Sequence, residues 1–136
     1  MRTIPFAFFA ALTLFARDGH AESRREYVRR AALVLGSVVH IETWVERNKD
    51  DLGLCSIAQA VAERSAELAG RLTPPPELRG IHPHLLMAIE NAERAYFFAS
   101  SGDARQFRHH LRVAREERRI LLQLAAQEGI DLTPLD

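Results

Sequence analysis

From Ser23 onward the chain repeats apolar residues at alternating intervals of four and three. Tyr27, Ala31, Val34, Val38, Ile41 and Val45 follow this rule, with Val28, Leu35 and Val39 beside them. On a helix of 3.6 residues per turn such spacing makes one apolar stripe. It predicts a first helix from about Ser23 to Arg47. Asn48-Lys49-Asp50-Asp51 breaks the pattern, and Asp50 or Asp51 can cap the next helix by accepting an amide hydrogen bond.

A second helix is expected from about Leu52 to Leu72, with Leu54, Ala58, Val61, Ser65, Leu68 and Leu72 on its stripe. Ala62, Ala66 and Ala69 flank that stripe, so the face is thin and admits a close neighbour. Thr73-Pro74-Pro75-Pro76 ends the helix, because proline lacks the amide proton and clashes with the preceding turn. A short crossover through Gly80 leads to a third helix that starts near Pro83 and ends near Ser100. Its stripe is Leu85, Ile89, Ala92, Tyr96 and Ala99. Ser100-Ser101-Gly102-Asp103 reads as a tight turn, and Asp103 with Gln106 has capping-box spacing. The fourth helix runs to about Glu128, with Phe107, Leu111, Ala114, Leu121, Leu124 and Ala125 inward. Gly129 is placed to cap it, and Ile130 to Leu135 is expected to fold back on the end of the helices.

No segment alternates with the two-residue period of a half-buried strand. The fold class that follows is all-α: an antiparallel, up-down-up-down four-helix bundle over residues 22–136, because the connections are short. A rival arrangement is a pair of helical hairpins of the tetratricopeptide type, suggested by the cadence from Asn91 to Glu116. No second copy at a fixed period supports it. The turn chemistry from Pro75 to Leu86 assigns the chain to no family.

The first 21 residues have a different character. Arg2 is followed by an uncharged apolar run from Ile4 to Ala16, then Arg17, Asp18 and the small-residue pattern Gly19-His20-Ala21. This is the layout of a secretory signal peptide cleaved after Ala21. Thirteen helical residues cover about 20 Å, short of the roughly 30 Å hydrocarbon core, which disfavours a membrane anchor. The alternative is a retained N-terminal helix that anchors the chain or packs on the domain. The expected location is therefore outside the cytoplasm, periplasmic or extracellular.

Composition narrows the function. The 136 residues are 47% hydrophobic and 26% charged, with eighteen basic and eighteen acidic side chains. Taking Arg2, Arg17 and Asp18 from eighteen of each leaves sixteen basic and seventeen acidic residues after cleavage. A near-neutral, exported chain is a poor nucleic-acid binder. Cys55 is the only cysteine, which excludes an internal disulfide framework and a multi-cysteine zinc site. On an apolar face it is expected to act as a small buried hydrophobe.

Five histidines follow residue 21: His40, His82, His84, His109 and His110. No Glu-x-x-His or Asp-x-x-His occurs, which disfavours the di-iron carboxylate site of some bundles. In an antiparallel pair, His82 and His84 lie far from His109 and His110. No cofactor or metal is therefore expected; the alternative is a metal- or haem-binding bundle using His84, Met87 and His110. Ser37, Ser56, Ser65, Ser100 and Ser101 lack a nucleophile elbow, and no catalytic residue is expected. Glu42, Glu90 and Glu117 lie near inward stripes and are the candidates for acid–base chemistry. A structural ion pair with Arg118 or Arg94 would use such a glutamate instead.

The most distinctive pattern is basic. Arg105, Arg108, Arg112, Arg115 and Arg119, spaced three, four, three and four, form one stripe along the fourth helix, with Arg118 beside it. Like charges at these spacings cost roughly 0.2–0.5 kcal/mol per pair in an isolated helix. Glu116 and Glu117 on the same helix answer only part of this; for the rest, either Glu63, Glu67, Glu90 and Glu93 of neighbouring helices answer the stripe, or it faces an acidic protein or an anionic lipid headgroup. Seventeen of the eighteen basic residues are arginine, so part of the stripe reflects a general bias. The expected function is a non-enzymatic interaction or accessory module of the cell envelope, with a homodimer as a further option.

Overall fold

The structure is a computed structural model that describes residues 20–133. The signal peptide predicted for residues 1–21 lies almost wholly outside the described residues, as does the tail beyond Thr133. Among the described residues the chain is all-helical, with no strand: α1 (Arg24–Arg47), α2 (Leu52–Gly70), α3 (His82–Ser100) and α4 (Ala104–Gln127). A single 3₁₀ turn, Pro76–Leu78, interrupts the crossover between α2 and α3.

The helix ends follow local chemistry. Ser23 caps α1 by accepting from the Glu26 amide, Asp51 caps α2 through Leu54, and Asp103 caps α4 through Gln106. Each cap satisfies one of the amides that a first turn leaves without a partner. Gly102 (φ +78°) and Gly129 (φ +70°) close α3 and α4 in the left-handed region, which side chains other than glycine rarely adopt.

One core joins the four helices. It contains Tyr27, Ala31, Val34, Leu35, Val38 and Val45 of α1, Cys55, Ala58, Ala62 and Ala69 of α2, Leu85, Ile89, Ala92 and Tyr96 of α3, and Phe107, Leu111, Ala114, Leu121 and Ala125 of α4. Leu78 of the 3₁₀ turn is fully buried, and Ile130 and Leu132 bury the start of the tail as expected. The α1, α3 and α4 stripes agree with the periodicity, apart from Ile41 and Leu124, which are only half-buried.

The face of α2 agrees only in part. Ala58, Ser65 and Leu72 are buried as expected, joined by Cys55, Ala62 and Ala69, whereas the expected Leu54, Val61 and Leu68 are exposed, as is Ile57. The helix is rotated so that its small residues point inward, which lets its backbone approach α1 and α3 closely. Ser37 of α1 and Ser65 of α2 meet at 2.6 Å on this close face, and Ser65 also donates to the Val61 carbonyl.

Side-chain bonds fix which parts of the helices are neighbours. Early α1 meets early α3, where the Tyr27 hydroxyl lies 2.9 Å from His82 Nδ1. Later in both helices the Tyr96 hydroxyl donates to the Val38 carbonyl at 2.6 Å. Gln59 of early α2 donates to Glu93 of late α3. α1 packs against α2 and α3, α2 against α3, and α3 against α4. The α1–α4 edge is bridged mainly by charge: Arg115 and Arg118 reach Glu42, and Arg24 donates to the Glu128 carbonyl.

Candidate functional site

The basic stripe of α4 divides into two halves. Arg115 donates its Nε to Glu42 and its Nη2 to Glu46, the latter at 2.8 Å. Arg118 donates to the second Glu42 oxygen at 2.7 Å. Glu42 is buried, so it would be an expensive lone charge; two guanidiniums supply the compensation that a buried carboxylate requires. Burial of Arg115 works against its charge, but hydrogen bonds and attraction from Glu42 and Glu46 outweigh it and hold the guanidinium above its usual pKa. Arg119 pairs with Glu116 one turn away and also donates to Gln123.

The answering carboxylates therefore come from α1 and from α4 itself. The expected carboxylates on the second and third helices are engaged elsewhere or exposed: Glu63 and Glu93 accept from Gln59, Glu67 pairs with Arg64, and Glu90 is exposed. The pairing of an inward glutamate with Arg118 is realised by Glu42. Glu46 was not singled out by sequence reasoning. Its signal was its position one turn beyond Glu42 on the same helix face.

Arg105, Arg108 and Arg112 form the other half. Among the described residues none of them has a carboxylate in ion-pair contact; Arg112 touches only His109, at 3.5 Å. All three are exposed. Arg105 also stands in the first turn of α4, where the positive end of the helix dipole disfavours a cation. A cavity of about 980 Å³ runs along this helix, with Phe107 and Leu111 in its floor, Arg108, Arg112 and Arg115 on its rim, and Glu46 at its α1 edge. A shallower depression of about 530 Å³ is lined by Arg105, Gln106, Arg108, His109 and Arg112. Glu116 and Glu117 also line the larger cavity and Arg115 on its rim is engaged by Glu42 and Glu46, so the unpaired cations are confined to Arg108 and Arg112 there and to Arg105 in the shallower depression.

The residues considered for metal or haem are not brought together. His84 bonds Glu117 at 2.7 Å, on the α3–α4 seam. His110 lies seven residues earlier on α4, about 10 Å along the helix. It bonds Asn91 at 3.1 Å and stacks on Phe98 with ring centroids 5.4 Å apart. Burial, with His109 and Arg94 adding to it, lowers the His110 pKa. Met87 meets this network only through its backbone carbonyl, which accepts from Asn91. Among the described residues no group of three or more metal-ligating His, Cys, Asp or Glu side chains converges.

The other candidates have structural surroundings. Cys55 is buried, with its thiol 3.4 Å from the Asn48 carbonyl, and burial raises its pKa. Of the acid–base candidates, Glu42 is held by two arginines and Glu117 by His84. No described helix is long and apolar enough to cross a membrane. Comparison with known proteins finds no matching family model, no matching curated protein and no matching solved structure.

Proposed function

We propose that this chain is an exported, non-enzymatic interaction module of the cell envelope, which recognises an acidic segment of a partner protein through Arg105, Arg108 and Arg112. In this reading residues 1–21 are a cleaved signal peptide and the remainder is an up-down-up-down four-helix bundle. The neighbour relations support that topology: early α1 with early α3, early α2 with late α3, and the N-terminus of α1 with the C-terminus of α4.

The division of the arginine stripe carries the functional reading. Arg115, Arg118 and Arg119 are engaged within the fold, whereas Arg105, Arg108 and Arg112 form no ion pair among the described residues and line an open depression that holds no carboxylate, beside a larger groove that also carries Glu46, Glu116 and Glu117. Placing like charges on one helix face is unfavourable unless something answers them. An acidic helix would neutralise Arg105, Arg108 and Arg112, and steering by complementary charge would speed its encounter.

Site-specific photo-cross-linking tests this. A photoreactive phenylalanine analogue replaces Arg108 in the chain expressed with its own N-terminus. The expected result is a discrete protein adduct in the envelope fraction, lost when Arg105→Glu and Arg112→Glu are added. No adduct from position 108, or one unaffected by charge reversal, overturns the reading. Charge-dependent binding to phosphatidylglycerol vesicles without a protein adduct would transfer the groove to lipid headgroups.

A further inference from the structure

The rotation of α2 leaves an apolar surface that the fold does not use. Leu54, Ile57, Val61 and Leu68 are 36%, 62%, 41% and 39% exposed. Leu54, Val61 and Leu68 are seven residues apart and Ile57 fills the first interval, so they form one seam about 21 Å long. Trp44 of α1, 38% exposed, lies on the α2 side of its helix: in the register set by the Ser37–Ser65 contact it falls opposite residues 57 and 58. The surface is distinct from the α4 groove, and its fate is independent of the function proposed above.

We infer that this seam pairs with the same seam of a second copy of the chain, with the two α2 helices antiparallel about a two-fold axis near Val61. Charge selects that orientation. The acidic residues Asp50 and Asp51 stand at the start of α2 and Arg71 stands just past its end. None of the three has an ion-pair partner among the described residues. Parallel helices would align acid with acid and Arg71 with Arg71. Antiparallel helices crossing at Val61 set Arg71 of each copy opposite Asp50 and Asp51 of the other and place Leu54 opposite Leu68. A two-fold axis satisfies both copies at once, as an isologous contact must.

The area is sufficient. The exposed fractions of Leu54, Ile57, Val61, Leu68 and Trp44 amount to about 400 Å² of surface per copy, within the range of the largest patches on monomers, which are often functional. With an apolar share of about 60%, typical of interfaces, the pair would bury roughly 1,300 Å² in total, at the lower end of specific protein–protein contacts. Trp44 at the edge is the residue type most often dominant in such interfaces.

Light scattering coupled to gel filtration, on the full chain as purified from the exporting cell, tests the inference. The expected mass is that of two chains at tens of micromolar. Val61→Glu should give the mass of one chain with unchanged far-ultraviolet circular dichroism. Arg71→Glu alone should raise the dimer dissociation constant about tenfold, and adding Asp50→Arg and Asp51→Asn should recover most of that loss. A monomeric wild type overturns the dimer, and binding to phosphatidylglycerol vesicles that Val61→Glu abolishes would then assign the face to a membrane surface. A dimer that survives Val61→Glu places the contact elsewhere, and failure of the charge exchange to restore affinity refutes the antiparallel pairing.

Discussion

Replacing Glu42 by glutamine removes one charge from the α1–α4 edge and changes almost nothing in volume. Glu42 accepts from Arg115 and Arg118, and its side chain is 7% exposed. Hydrogen bonds to charged groups contribute about 1.5–3 kcal/mol each, and removing one member of a buried pair costs about 3–5 kcal/mol. Those figures need discounting here, because the Arg115 and Arg118 side chains are 46% and 23% exposed and can turn to solvent once released. Glutamine also keeps one acceptor. A loss of about 2 kcal/mol is therefore expected, which lowers Tm by about 8 °C for a domain of this size. Urea unfolding followed at 222 nm measures it, with Glu46→Gln as the control. Glu46 is far more exposed, so its replacement should change stability by at most about 0.5 kcal/mol. If the Glu42 and Glu46 variants lose the same small amount, the buried bridge does not hold α1 to α4 and the reasoning fails.

Burial lowers the pKa of both His82 and His110 below 6.5. The unfolded chain then takes up protons first as pH falls, so stability conferred by the neutral rings is complete above pH 6.5 and is lost on acidification towards their lowered folded values. Urea midpoints between pH 7.5 and 5.5 should fall, and His110→Gln should flatten the fall; an equal slope in the variant refutes the assignment. Cys55 is fully buried with a raised pKa, so its reaction with Ellman's reagent at pH 8 should be at least a hundredfold slower than that of a cysteine peptide. Reaction at the peptide's rate would show that the early part of α2 opens readily.

The parts of the fold that were readable from the chain are those in which large apolar residues and core positions coincide. Tyr27 to Val45, Leu85 to Ala99 and Phe107 to Ala125 announce their inner faces because most large apolar residues of those helices fall on one stripe, with Leu33, Trp44 and Phe97 the exceptions left outside it. The caps at Asp51 and Asp103 were readable for a different reason: the chemistry is local and does not depend on neighbours, although Ser23, which caps α1 by the same chemistry, was not singled out as a cap. α2 followed the rule only in part: Ala58, Ser65 and Leu72 are buried as expected, but Leu54, Val61 and Leu68 are not. Its apolar arc is wide enough to admit two phases, one led by Leu54, Val61 and Leu68 and one by Ala58, Ala62 and Ala69. Close approach to α1 and α3 favours the second, which a single helix cannot reveal. The arginine stripe was visible as a pattern, and the Glu42–Arg118 pairing could be anticipated from an inward carboxylate. Which arginines are engaged depends on where α1 crosses α4, a tertiary fact separated by more than seventy residues of chain.

The division of that stripe into an engaged and an available half is the centre of the account. The free energies of unfolding of Arg105→Ala/Arg108→Ala/Arg112→Ala and of Arg115→Ala/Arg118→Ala, compared in one set of urea titrations, test it most directly. The triple variant should match the parent or gain up to about 0.5 kcal/mol, since it removes repulsion between neighbouring cations. The double variant should lose at least about 2 kcal/mol, because it strands Glu42 without a partner. A triple variant that loses as much as the double would contradict the account: Arg105, Arg108 and Arg112 would then be holding the fold together, with no surface to spare for a partner.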